Sequence, residues 1–229
     1  MEGGGPITIR RATREDIPAM VQILYRAFGT KNLFAMLWPE SLKHLRLLPG
    51  HGDHLAWRTS RFESNFQDMK PWMHFIVAVQ QSPTGEELMV GSAEWMAPAE
   101  KTNSTPDKDK TETDRETELP AGMDQAAFRE SQAVNRAFEQ SLEQALGEGS
   151  LEKMWYANSI AVDPTYQGKG IGTLLTKWGM DQAEKDGRDV YLLASEAGAS
   201  LYRKLGFTEI CEMQKFGMRQ FALVKMQKA

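Results

Sequence analysis

Cysteine is almost absent from this 229-residue chain: Cys211 is the only one. A single thiol closes no intramolecular disulfide and builds no cysteine-based zinc site. A basic surplus is missing too. Lys plus Arg number 27 against 31 Asp plus Glu, a formal net charge of -4, which argues against a surface built for nucleic acid. There is no run of about 18 apolar residues, so no membrane span is expected. The first residues, Met1 to Pro6, lack the basic and apolar regions of a secretory leader. The expectation is a soluble, cytoplasmic protein with no nucleic-acid and no membrane partner. At 41% hydrophobic and 25% charged the chain can bury one sizeable core. One domain over residues 1–229 is expected.

What is present reads as an alternation of strands and helices. Ile7 to Arg11 alternates apolar and polar residues, a first strand. Thr13-Arg14-Glu15-Asp16 reads as a helix start, and Ile17, Met20, Val21, Leu24 and Phe28 follow at helical spacing. Residues 33–48 are apolar-rich and helical with a break near Pro39, and 53–68 form another helix. Phe75 to Val79 and Leu88 to Met96 form a hairpin across Ser82-Pro83-Thr84-Gly85. Residues 100–119 hold seven acids, four bases and one large apolar residue, Leu119. They cannot build a core and are expected to be a mobile loop carrying most of the net charge. Residues 123–146 return to helical spacing. Then follow a strand (154–162), a helix (172–185), a strand (189–194), a short helix (197–205) ended by Gly206, and two strands (207–211, 220–226). The fold class is α/β (α+β): a mixed sheet of about seven strands flanked by helices.

Chemistry concentrates in Gln167-Gly168-Lys169-Gly170-Ile171-Gly172-Thr173, directly after a strand and opening a helix. Alternating glycines let backbone N–H groups approach an anion, and the helix start adds positive potential. Lys169 adds a charge. The spacing is neither that of Walker A nor the full dinucleotide fingerprint, since Thr173 stands where the third glycine belongs. A tight turn with no ligand uses the same residues, and the glycines alone do not choose between the two.

Downstream sequence adds to this. Gln167-x-x-Gly170-x-Gly172 is followed about thirty residues later by Tyr202-Arg203-Lys204-Leu205-Gly206-Phe207. The pair, with Ile160-Ala161-Val162-Asp163-Pro164 leading in, resembles the GNAT superfamily of acyl-CoA-dependent N-acetyltransferases over roughly residues 154–210. The helix at 123–146 would then be an addition between the third and fourth strands. The resemblance implies acetyl-CoA as cosubstrate and no metal. Its pyrophosphate would lie on the backbone of Gln167, Gly168, Lys169, Gly170, Ile171, Gly172 and Thr173. Its pantetheine arm would pair with Ile160, Ala161 and Val162, and Ser195 would hydrogen-bond that arm. Tyr202 matches the tyrosine that protonates the departing thiolate. Two positions depart from the family's pattern: Ser195 replaces a frequent asparagine and Gly198 a frequent alanine.

The attacking amine must first lose a proton, because an alkyl ammonium titrates near ~10.4, so a base or a water chain is needed. Glu94 in Ser92-Ala93-Glu94-Trp95 is the leading candidate, ahead of Glu196 and His74. Trp38, Trp72 and Trp95 fall in the region that forms the acceptor side in the family and are candidates to line a pocket. His44, His51 and His54 with Asp53 read as a solvated loop rather than a metal site, and Cys211 reads as a buried strand residue. No covalent nucleophile stands out, so direct transfer to a primary amine of a small molecule is expected. A protein or peptide acceptor, or an acyl-CoA-binding module without turnover, are the alternatives. The helix at 123–146 would wall the acceptor pocket or support a homodimer.

Overall fold

The structure is a computed structural model that describes residues 5–28, 33–47, 52–82, 85–98 and 119–227. The expected loop at 100–119 lies outside them, apart from Leu119. The strands β1 (Ile7–Arg11), β2 (Met73–Gln81), β3 (Glu87–Met96), β4 (Trp155–Val162), β5 (Val190–Ser195), β6 (Thr208–Lys215) and β7 (Met218–Lys225) form one sheet. Its order is β1-β2-β3-β4-β5-β7-β6. The β4–β5 pair is parallel and the other described pairs are antiparallel. A parallel pair needs a crossover, supplied here by α5 (Ile171–Lys185).

Two helical layers cover the sheet. Helices α1 (Ile17–Phe28) and α3 (His54–Gln67) lie on one face. The buried faces Ile17, Met20, Val21, Leu24 and Phe62 meet Phe75, Val77 and Val79 of β2 there. Helices α5 and α6 (Glu196–Lys204) cover the other face, where Ile171, Leu175 and Tyr202 pack with Ile76, Trp95 and Leu192. Strand alternation decides this division: Phe75, Val77 and Val79 face α1 and α3, while Ile76 and Ala78 face α5. The helix α4 (Gln125–Leu146) packs Phe138 and Leu142 on the β6–β7 end. A short α2 (Leu33–Leu37) joins Trp38, Met123 and the tip of the β6–β7 hairpin in a fourth cluster. That tip is a two-residue turn, Phe216 at φ 51° and Gly217 at φ 71°. Phe216 accepts the left-handed conformation, which fits a tight hairpin, and its ring packs against that cluster.

The sheet carries two irregularities that matter for function. Between β3 and β4 the register shifts, so that Glu94 faces Ser159 and Trp95 faces Ala157, which leaves Asn158 as an extra residue. Such a bulge bends its strand. Immediately after it, β4 and β5 part. They pair only at Trp155–Val190, Tyr156–Tyr191 and Ala157–Leu192. β5 continues to Ser195 paired with β7, and β4 continues to Val162 paired with β3.

Trp95 is fully buried and lies against Gly179 of α5. A Cβ at Gly179 would sit 2.2 Å from the indole Cε2 atom, far inside contact distance, and the ring is too enclosed to move. Gly179→Ala therefore overpacks this contact and should destabilise the fold by about 1–3 kcal/mol. Chemical denaturation checks it, and an unchanged midpoint would show that the interface yields.

Candidate active site

The splay between β4 and β5 leaves the β5-facing edge of β4 without a strand partner from Asn158 to Val162. Ile160, Ala161 and Val162 lie on this stretch, with side chains packed into the cores of the two faces, so their peptide groups are the part that remains to bind. At the end of β4, Asp163 anchors the turn. It is buried, accepts from Thr165 N at 3.0 Å and Thr165 Oγ1 at 2.7 Å, and pairs with Arg26 of α1 at 2.8 Å. Burial opposes its charge, but the Thr165 hydrogen bonds and Arg26 outweigh it and hold the Asp163 carboxyl below its ordinary pKa. Gln167 folds back, donating from Nε2 to the Val162 carbonyl at 3.2 Å.

The glycine loop then turns outward. Gly168 and Gly170 stand at φ 76° and 82°, and nothing lies within 4 Å of a Cβ built at either. The positive φ favours glycine, and the open space leaves room for a guest close to the main chain. Gly170 caps α5 and has no side chain to satisfy the first helical N–H groups, those of Ile171, Gly172 and Thr173. These donors, with the helix dipole behind them, suit an anion. Ile171 itself is a core residue, and Gly172 packs closely on Leu201. Lys169 rests its ammonium 4.6 Å from the centre of the Tyr166 ring. This backbone cradle fits a pyrophosphate, and the open β4 edge leading from it fits an extended amide-bearing arm.

Tyr202 sits on α6, almost fully buried, with its ring edge-on to Phe207 at 5.8 Å. Burial pushes its phenol up to about 12. Ser195 caps α6, accepting from Gly198 N at 3.4 Å. The Gly198 Cβ position lies 3.4 Å from the Tyr202 ring, so an alanine there would touch the tyrosine.

The three candidate bases separate. Glu94 is buried and stands in register with Phe75, hence on the α1/α3 face. Burial raises its pKa, opposed by the Asn158 amide and by Arg58 and Arg61. Glu196 is an exposed residue that pairs with Arg219 at 2.8 Å. His74 lies on the opposite face, stacked on Trp155 at 5.0 Å, where burial lowers its pKa. Only Glu94 combines enclosure with a position beside the bulge.

The tryptophans divide differently from expectation. Trp95 points to α5, away from Glu94's face, because successive residues of β3 alternate between the two faces of the sheet. Trp72 packs with α1, α3 and β2. Trp38 joins Trp57, which sequence reading passed over, at 6.2 Å. His54, expected in a solvated loop, is 6% exposed at the start of α3 and packs on Phe34 at 4.3 Å; Asp53 caps that helix, accepting from Ala56 N. His51 lies outside the described residues. Cys211 is half-buried on β6, as a strand residue.

Comparison with known proteins bears on the fold. Residues 134–209 match the family model of the acetyltransferase (GNAT) domain. The chain is similar to an acetyltransferase of Stachybotrys chartarum, 24% identical over 90% of this chain and 82% of that one. A segment of 44 residues, 19% of this chain and 32% of the relative, is 46% identical to the "Probable acyltransferase SID5" of Ajellomyces capsulatus. Among solved structures, a mosquito arylalkylamine N-acetyltransferase like 5b shares the fold, with a TM-score of 0.59 at 16% identity, over 97% of this chain and 100% of that one. Among the described residues, no helix is long and apolar enough to cross a membrane.

His54 makes the aromatic cluster sensitive to acid. Burial first, then Arg58, lowers its pKa to about 4, with Asp53 opposing, against about 6.5 in an unfolded chain. Above pH 6.5 both states hold it neutral and its contribution to stability is complete. As pH falls from about 6.5 towards 4, the unfolded chain takes up a proton that the folded chain refuses, and stability drops. The loss should be about 2–3 kcal/mol. Urea unfolding at pH 7 and pH 4.5 should show a smaller drop in His54→Phe; an equal drop would mean that His54 is freely protonated in the fold.

Proposed function

We infer that this chain, a GNAT-fold protein carrying the GNAT acetyltransferase domain over residues 134–209, is an acetyl-CoA-dependent N-acetyltransferase acting on a primary amine of a small molecule. The observation that carries this reading is the unpaired β4 edge running into the glycine cradle. Acetyl-CoA, when bound, supplies an acetyl group activated as a thioester. The chain's own groups then have defined tasks. Backbone N–H groups from Gln167 to Thr173 hold the pyrophosphate. The peptide groups of Ile160, Ala161 and Val162 hold the arm extended, directing its sulfur to the gap where β4 leaves β5.

That gap is open to groups from both faces of the sheet. Glu94 belongs to the α1/α3 face, and Tyr202 to the α5/α6 face. Glu94 takes the proton that the amine must lose; its raised pKa makes it a stronger base than an ordinary carboxylate. Tyr202 meets the leaving sulfur. With its phenol at about 12 it keeps its proton at every working pH, so it is always a hydrogen-bond donor, though a weaker acid than a free tyrosine. A small-molecule acceptor is favoured over a peptide because the side taken for the acceptor carries a cluster of buried rings, Phe34, Trp38 and His54, rather than an open polar groove.

Thiol release from acetyl-CoA across a panel of amines and peptides tests the reading, with CoA-dependent thermal stabilisation as the binding readout. Stabilisation without turnover on any acceptor would leave only an acyl-CoA-binding module, and no stabilisation would overturn the reading altogether. Gly170→Val, which forces a branched side chain to φ 82°, should remove most of the stabilisation. Tyr202→Phe should lower kcat by about 100-fold while CoA still stabilises the protein; lost CoA binding would contradict its role. Glu94→Gln should lower kcat and abolish the acid limb of the pH profile, whose midpoint in the parent lies above the ordinary carboxylate range. A limb that persists in the variant would assign it to another group.

A further inference from the structure

On the side taken here for the acceptor lies a cluster of hydrogen-bond donors that no described residue satisfies. Arg58 Nε, Arg46 Nε, Trp38 Nε1 and both ring nitrogens of His54 are shielded from solvent and have no hydrogen-bond partner among the described residues. The groups are contiguous. Arg46 lies over the Trp38 ring at 5.7 Å, and Trp38 meets Trp57 at 6.2 Å and His54 at 6.0 Å. Arg58 lies 5.4 Å from the Phe34 ring centre and 5.5 Å from that of Trp57. A neutral imidazole has one donor and one acceptor, so the set has four N–H donors and a single acceptor. Shielded donors left unpaired are costly, and an uncompensated guanidinium is more so.

Arg58 is the centre of this imbalance. It lies within electrostatic reach of the buried Glu94, yet neither side chain makes a close ion pair with a described residue. The two charges share one side of the sheet without touching. Arg46 differs, because its Nη2 already donates to the Trp38 and Pro39 carbonyls at 2.8 and 2.7 Å. A planar guanidinium braced by two aromatic rings keeps its fork in a fixed orientation, the arrangement that suits a carboxylate. Glu94, beside the bulge, stands where the amine is to be deprotonated.

We propose that the acceptor is an amino carboxylate with an apolar body: its amine is held at Glu94 and its carboxylate is bound by Arg58 within the ring cluster of Phe34, Trp38, His54 and Trp57. The carboxylate supplies the acceptors that these donors lack and balances the Arg58 charge, and the rings take the apolar body. The amine half of this assignment rests on the acetyltransferase reading; the carboxylate half stands on the donor cluster alone.

Calorimetric binding to the full chain, with and without CoA, tests it. The probes are L-phenylalanine, L-leucine and 4-aminobutyrate, each against its own carboxamide, so that each pair keeps the amine and the body and differs in charge. At least one acid should bind about tenfold or more tightly than its amide. Arg58→Gln should remove that difference by weakening the acid and leaving the amide unchanged. Arg58→Lys, which keeps the charge but loses the fork, should restore only part of it. CoA-dependent thermal stabilisation checks that the variants fold, and if Arg58→Gln does not, the wild-type pairs and Arg58→Lys still decide. If no acid in the panel outbinds its amide, or if the preference survives in Arg58→Gln, the inference is overturned. A chain that acetylates amines but prefers amides loses this inference and keeps the acetyltransferase reading. One that prefers acids but does not bind CoA does the reverse.

Discussion

The parting of β4 from β5 is the constraint on which the rest of this molecule depends. Parallel strands joined by a helical crossover ordinarily pair along their length, and each unpaired peptide group inside a protein costs free energy. Here pairing stops after Ala157 and Leu192. The strands are held apart from outside: β3 keeps β4 as far as Val162, and β7 keeps β5 as far as Ser195. The Asn158 bulge supplies the bend that makes this possible, because an extra residue on one strand increases its local twist. Five residues of β4, about 16 Å at ~3.3 Å each, then present one edge with no strand paired to it among the described residues. That edge runs directly into Asp163 and the glycine turn, so an arm on the edge and an anion on the cradle are geometrically one site.

The same constraint explains why the two titratable candidates come from opposite sides of the sheet. A continuous sheet would separate Glu94, on the α1/α3 face, from Tyr202, on α6. Where the sheet opens, the barrier between the layers is missing. The hairpin tip at Phe216 matters in this respect too. β7 runs antiparallel to β5, with Gln220 opposite Ser195, so the tip extends past the end of β5. Its ring closes onto Leu37, Trp38 and Met123. The strained φ of Phe216 is thus offset by packing that helps seal the acceptor side from water.

Much of this was legible in the sequence, for identifiable reasons. The glycine cradle is local: three alternating glycines between a strand and a helix specify φ and approach without tertiary information. Tyr202 stands out only through the resemblance of Tyr202-Arg203-Lys204-Leu205-Gly206-Phe207 to the GNAT pattern. Strand and helix positions followed from pattern, since the apolar alternation of β1, the short apolar run of β2 and the 3.6-residue spacing of α1 are strong. What failed were the statements that need the third dimension. Trp95 falls with Trp38 and Trp72 in the region that forms the acceptor side in the resembled family, but neighbouring strand residues face opposite ways, so Trp95 and Glu94 cannot share a face. His54 was read as solvated because Gly50 and Gly52 precede it, whereas α3 starts two residues beyond Gly52 and turns it inward. Arg58 drew no attention because a charged residue in an amphipathic helix usually faces water. Its importance comes from Phe34 and Trp57, one on a different element and one a neighbour in sequence.

Burial acts on both proton-handling groups, and it acts on them unequally in chemical terms. It raises Glu94, bringing the carboxylate closer to the amine whose proton it must accept, so it narrows the gap to an ammonium near ~10.4. It raises Tyr202 to about 12, which widens the gap to a thiol near ~8.5. The environment therefore favours deprotonation of the acceptor and disfavours complete proton transfer to the leaving sulfur. A tyrosine so placed contributes chiefly as a fixed hydrogen-bond donor aimed at developing charge, a role that requires no proton transfer and gains strength in a poorly solvated site. In the reaction proposed above, burial thus suits Glu94 to proton transfer and Tyr202 to charge stabilisation, a division of labour argued from the place of each beside the parting of β4 and β5.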